Sequence, residues 1–235
     1  MKPETANDQT PDGRFAEQAK RERPASTIWR EKPARMNAQA LETLKGILSD
    51  PVVIDTQDDK DRVIQRYGPV FAPDNIRHLT ADVFRGFLFY RNNRHWHNLH
   101  RHGAVITADM GRLKKALAIL GDESIPISKR LDDIRPSPGK AMVKGLGPAV
   151  ITAILQVKHP DKYGVLNKTA ETGMRAVGLW PAFSKRASFG GQYEVVNQVL
   201  HETAAKIGVD LWTLDALWSR WRPTNFSALT ASRSR

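Results

Sequence analysis

A Gly-X-Gly turn that opens straight into an apolar helix is the stretch most suited to chemistry. It reads Met142-Val143-Lys144-Gly145-Leu146-Gly147-Pro148 and continues as Ala149-Val150-Ile151-Thr152-Ala153-Ile154-Leu155. Glycines admit positive φ and the close approach of another molecule's backbone. Pro148 suits a first helical position, where unpaired N–H groups can receive a phosphate. Lys144 sets a point charge beside the turn. The same pattern also serves as a plain corner between helices, so both readings stand at this stage. The second constellation is Tyr90-Arg91-Asn92-Asn93-Arg94-His95-Trp96-His97-Asn98-Leu99-His100-Arg101-His102. Its histidines raise zinc as a competing idea, but no cysteine or nearby acidic residue completes a ligand set, so no metal is expected.

Charge points to a polyanion. The chain of 235 residues holds 36 Lys plus Arg against 25 Asp plus Glu, a formal net charge of +11. Between Phe84 and Lys115 seven basic residues face a single acid, Asp109, and four of the seven histidines lie there too. These basic residues interleave with Phe87, Phe89, Tyr90 and Trp96, a mixture suited to neutralising a phosphate backbone and stacking on bases. A solvated face is the ordinary alternative for any such run.

The chain has no cysteine. That excludes a disulfide scaffold, a cysteine-bound zinc, an iron–sulfur cluster and a thiol nucleophile. No Gly-X-X-X-X-Gly-Lys-Ser/Thr or Gly-X-Ser-X-Gly motif occurs, so nucleotide hydrolysis and serine esterase chemistry lack support. No apolar run is long enough for a membrane span, and Met1-Lys2-Pro3-Glu4-Thr5 has no signal-peptide core. The expectation is a cytoplasmic protein with no membrane partner, no cofactor and no nucleotide.

The elements that must position these residues read as helices. Asn37 can cap a helix bearing Leu41, Leu44, Ile47 and Leu48 at 3.6-residue spacing. Others are expected over Asp61–Tyr67, from Thr80 through Leu88, and from Thr107 to a close at Gly121. Further candidates are Ile127–Ile134, Pro148–Val157, Asn167–Val177, Gln192–Ile207 and Asp210–Trp221. Only Pro51–Ile54 and Ala104–Ile106 are β-branched runs of strand type. The expected fold class is all-α. Residues 1–35, polar and nearly balanced in charge, read as a flexible tail, 36–225 as the helical domain and 226–235 as a basic tail. Within Asp210–Trp221, Trp218 with Leu211 and Leu214 reads as core, while Trp212 or Trp221 can wall a pocket for a base.

The turn, its helix and the loop His159–Leu166 together resemble the helix-hairpin-helix DNA glycosylases, the superfamily of endonuclease III and the adenine-mismatch and alkyl-base glycosylases. The resemblance covers roughly Arg130 to Gly178. It implies an all-α glycosylase-like fold, double-stranded DNA as partner, and binding through Lys144, Gly145, Leu146 and Gly147. It also implies a catalytic Asp about 22 residues after the first hairpin glycine, and this chain carries Asn167 there. Asn supplies a dipole where Asp supplies charge. It can orient water, and it can equally cap the helix that follows. A carboxylate one helical turn on, Glu171, then becomes the first choice for the chemistry, with Asp161, Asp132 and Asp133 as others. Lys168 suits a phosphate contact. Ala149 replaces the Schiff-base lysine of strand-cutting members, so a monofunctional enzyme is implied. By analogy, Asn92, Asn93, Arg94, His95 and Trp96 would fill the gap left by an extruded base.

The resulting expectation is a glycosylase that hydrolyses the N-glycosidic bond of a damaged or modified base, in repair or anti-phage defence. Its alternatives are a non-catalytic helix-hairpin-helix DNA-binding protein, an RNA binder, and a magnesium nuclease built on Asp55, Asp58 and Asp59.

Overall fold

A computed structural model describes residues 29–31, 38–136 and 140–221. Most of the expected N-terminal tail and all of the basic C-terminal tail lie outside these residues, as does Asn37. The described chain is all-α apart from one short antiparallel ladder. Its strands are β1 (Trp29–Glu31), from the segment assigned to the tail, and β2 (Ala182–Phe183).

The helices are α1 (Ala38–Gly46), α2 (Pro51–Tyr67), α3 (Pro73–Ile76), α4 (Ala81–Leu88), α5 (Tyr90–Asn93) and α6 (Gly103–Ile106). They continue as α7 (Met110–Gly121), α8 (Ile127–Ile134), α9 (Pro148–Lys158), α10 (Lys168–Ala176), α11 (Phe189–Ile207) and α12 (Leu211–Arg220). Side-chain caps set half of the starts. Asp50, Thr80, Asp109, Asn167, Ser188 and Asp210 each accept a hydrogen bond from a backbone N–H of the first turn. That satisfies donors a helix N-terminus otherwise leaves unpaired.

The two β-branched runs are helical. Pro51–Ile54 opens α2 because Asp50 caps it and Pro51 occupies the first position, where its missing N–H costs nothing. Helix α2 therefore begins ten residues before the expected Asp61. Ala104–Ile106 forms most of the single turn α6. Thr107 does not start α7: its Oγ1 bonds back to Gly103 O at 2.9 Å, and Asp109 is the cap.

Two apolar clusters make the core. The larger gathers Val63, Tyr67, Phe71, Phe84, Phe87 and Trp96 with the inner faces of α7, α8 and α9, plus Tyr193 and Trp212. The smaller joins α1, Val53, α10, the second half of α11 and most of α12. Helix α12 belongs to both, giving Trp212 to the first and Leu214, Leu217 and Trp218 to the second. It lies along α2, held by Trp212 Nε1 donating to Thr56 O at 2.9 Å and by ion pairs at either end, Lys60–Asp210 at 2.6 Å and Arg220–Asp50 at 2.8 Å.

Helices α8 and α11 pack at backbone contact. A Cβ at Gly190 would stand 1.9 Å from Ser128 O, so only glycine fits there. The Gly190 N–H also donates to Asp132 Oδ1 at 2.7 Å. Gly46 is the opposite case, helical at φ −63, where an added methyl would meet nothing within 4 Å. Gly190→Ala is expected to lower stability by about 2–3 kcal/mol through overpacking. Gly46→Ala should be neutral or stabilising by up to about 1 kcal/mol. Urea midpoints at constant m-value check both.

Candidate functional site

The hairpin turn runs from α8 into α9. Gly145 is left-handed at φ +83, whereas Gly147 is extended (φ −90, ψ 172), so only the first glycine is required by backbone conformation. A Cβ at Gly145 would press on Ile106 Cγ1 at 3.2 Å, so the turn lies against α6. Arg135, at the end of α8, braces the turn by donating from Nη1 to Leu146 O at 2.8 Å. Pro148 takes the first position of α9 as expected. Leu146 departs from its expected role: its side chain is buried in the larger cluster, so only its backbone is available to a ligand.

After α9 the chain reverses through residues 159–167, and this loop is held by side chains of several elements. Thr152 Oγ1 accepts from Leu166 N at 2.9 Å, Asn197 Oδ1 from Gly164 N at 2.7 Å, and Gly164 O from Tyr193 Oη at 2.8 Å. At the far end Glu123 receives Arg130 Nη1 at 2.6 Å, Lys162 Nζ and Tyr163 Oη. The loop delivers Asn167 to the start of α10, where its amide does two things. Oδ1 accepts from Ala170 N at 2.8 Å, the cap, while Nδ2 donates to Asp215 Oδ1 at 3.2 Å.

Asp215 is the centre of the site, and it is a residue that the sequence alone does not single out. It is 6% exposed on α12. Its Oδ2 receives both Trp96 Nε1 and His95 Nε2, each at 2.8 Å. Because the carboxylate accepts, the proton of that contact sits on Nε2, with Nδ1 on the other side of the ring. That Nδ1 is buried and has no hydrogen-bond partner. Behind the three groups stands an aromatic wall. The Trp212 ring lies 4.5 Å from His95 and 5.4 Å from Trp96, and Phe87 lies 6.0 Å from Trp96.

In front of Asp215 opens a cavity of about 600 Å³. One wall is the hairpin, with Gly145, Gly147, Pro148 and Ala149; another is Asn167, Lys168 and Thr169. The rim carries Tyr90 and His97, stacked at 3.7 Å, together with Asn98 and His102. The cavity thus joins the hairpin, Asn167, Lys168, His95 and Trp96.

Other expected site residues lie elsewhere. Glu171 points away from the cavity and pairs with Arg175 at 2.9 Å and Lys168 at 3.4 Å. Partial burial works to raise its pKa, but those two cations outweigh it and hold the carboxyl below its usual range. Asp132 caps α11, Asp133 pairs with Lys129 and Asp161 is exposed; none lines the cavity. Asn93 is fully buried, its Nδ2 donating to Phe87 O and Trp96 O and its Oδ1 accepting from His95 N and Trp96 N. It shapes the turn that aims His95 and Trp96 at Asp215, so its amide is spent and cannot pair with an orphaned base. Trp96 is likewise buried and directed inward, not a wedge at the surface. Asn92 and Arg94 line a different depression and not the cavity, and Lys144 borders a further one beside Val105 and Arg112. Trp212 walls the site from behind, while Trp221 belongs to the smaller cluster. Among the described residues no three His, Cys, Asp or Glu side chains gather as a metal site.

Comparison with known proteins returns no matching family, no matching curated protein and no matching solved structure.

The Glu123 anchor gives the loop a pH dependence. Burial works to raise its pKa, but hydrogen bonds from Lys162 and Arg130, the Arg130 charge and Tyr163 prevail and bring it to about 2 from 4.5. A lowered carboxyl pKa stabilises the fold above the unfolded value and ceases to do so as pH falls through the folded one. Stability should therefore decline as the pH drops from about 4.5 towards about 2. Glu123→Gln should flatten that acid limb and, by leaving buried Arg130 without its counter-charge, cost about 3 kcal/mol at neutral pH. Denaturant titrations across pH check both effects.

Proposed function

We propose that the chain is a monofunctional DNA glycosylase that takes an extruded nucleotide into the cavity before Asp215 and releases its base by hydrolysis. The observation that carries this reading is the position of Asp215. A buried carboxylate, bound by Asn167, His95 and Trp96, faces a cavity of nucleotide size that a Gly-X-Gly hairpin also lines. The resemblance between this hairpin with its loop and the helix-hairpin-helix glycosylases supports the same conclusion.

In this reading the family's charge is kept but moved. Asn167 stands at the start of α10 and Asp215 supplies the negative oxygen across a 3.2 Å hydrogen bond. As the C1′–N bond breaks, its electron pair leaves with the base and the sugar becomes oxocarbenium-like. A carboxylate already fixed by its donors stabilises that cation without having to reorganise. Three donors occupy three of its roughly four acceptor positions. The remaining one orients water, whose oxygen adds to C1′ and whose proton passes to the carboxylate and from there to the departed base anion, which restores the carboxylate. The products are a free base and an abasic site, with the strand intact. Ala149 lines the cavity and carries no amine for a Schiff base, which agrees with a monofunctional route. The hairpin N–H groups and Lys168 would hold phosphates at the mouth.

Duplexes carrying uracil, oxidised, alkylated or phage-type modified bases, incubated in EDTA and treated with mild alkali, test this reading. Alkali-dependent scission at one modified base is expected. Asp215→Asn should slow base release on the order of 10²–10³-fold with duplex binding retained, while Glu171→Gln should leave it unchanged. Tight, salt-sensitive binding with no product on any duplex would overturn the enzyme and leave the non-catalytic DNA-binding module. Activity that stops in EDTA would point to the nuclease instead.

A further inference from the structure

Along α5, apart from the cavity, lies a second depression, a surface basin of about 430 Å³ lined by Arg62, Val63, Arg66, Arg91, Asn92 and Arg94. Two of its arginines come from one face of α2, four residues apart, and two from α5 and its C-terminal cap. The basin is unequally neutralised. Asp59 answers both Arg62 and Arg94, the latter at 2.7 Å from Nε to Oδ2. Arg66 and Arg91 are exposed and have no ion-pair partner among the described residues. Each instead rests over a ring, Arg66 5.2 Å from the Tyr67 centroid and Arg91 5.5 Å from that of Phe89. Ring contact orients a guanidinium while leaving its N–H fork open to an oxyanion.

The basin is mechanically joined to the cavity. Among the described residues Arg94 is the only non-glycine at positive φ, +55. A residue held there is strained, and such strain tends to be kept where it is used. Its left-handed turn sends the guanidinium to Asp59 and the basin while the following residues, His95 and Trp96, go to Asp215. Arg94 also lies 5.8 Å from the Tyr90 ring, which stacks on His97 at the cavity rim.

We propose that this basin is a phosphate-binding site that grips the backbone of duplex DNA beside the extruded nucleotide. The inference rests on the DNA reading above and extends it to residues outside the hairpin. A nucleotide drawn into the cavity brings its neighbouring phosphates to the rim, and the strand must continue past α5. Asp59 answers two of the four guanidiniums and Asp55 acts on Arg94 as well, so Arg66 and Arg91 are the charges left to meet it. They act on the backbone, so they add affinity without sequence preference.

The test is the salt dependence of binding to a labelled duplex, read by fluorescence anisotropy over a series of NaCl concentrations. Each phosphate that the protein no longer neutralises lowers the slope of log K against log[salt] by about 0.9. Arg66→Ala/Arg91→Ala should lower it by about two, and Arg66→Lys/Arg91→Lys should restore it, which a structural defect would not. If the wild type binds duplex and the double alanine variant keeps the full slope, the basin proposal is overturned and the DNA reading stands. If the wild type shows no duplex binding, both fall. If the duplex slopes of the wild type and the alanine variant coincide while inorganic phosphate raises the melting temperature of the wild type alone, the basin takes free phosphate and the backbone proposal is overturned.

Discussion

A carboxylate buried against aromatic rings persists only while its oxygens are answered. The donors that answer Asp215 come from two places far apart in the chain, Trp96 and His95 in one turn and Asn167 at a helix start. Much of the architecture follows from that demand. The Asn93 amide closes the turn that presents Trp96 and His95. The loop after α9 is fastened to Thr152, Asn197, Tyr193 and Glu123 so that Asn167 arrives in register. Helix α12 is pinned along α2 by its ion pairs and by Trp212. Loss of a support would take a donor from the buried charge, so the polar centre specifies the arrangement of segments that apolar packing alone would tolerate in several ways.

Structure is legible in the sequence where the chain states it locally. The all-α class and the cores of α8, α9, α10, α11 and α12 follow from apolar spacing and caps. The start of α2 does not, because Val52, Val53 and Ile54 favour strands by propensity while the deciding contact is the Asp50 cap. The glycine turn before Pro148 is legible as a corner, and Gly145 adopts the positive φ that such a turn needs.

The carboxylate is harder to find. Glu171 sits one turn from Asn167 by sequence, but the same one-turn spacing on α10 offers it Arg175, which it takes. Asp215 is 48 residues from Asn167, and no local rule joins them. One signal is present: a lone acid inside the apolar run Leu211–Trp218, on the face that Leu211 and Trp218 bury. Asn167 shows why the two readings of one residue need not compete, since its oxygen caps the helix and its nitrogen holds the acid. Asn93, in contrast, has no amide group to spare once the turn is made.

Helix α12 is shared between two clusters, and the cavity opens at the seam. Many proteins widen such a seam by letting two lobes swing about a hinge. Here the seam is crossed by a continuous helix with rings buried on both sides, so a swing would have to pull tryptophan out of one core or the other. The route to a larger mouth is instead the rim, where Tyr90, His97 and His102 meet the exposed start of α10. The two cores then behave as a fixed jaw, and selection among guests falls to the side chains at the lip.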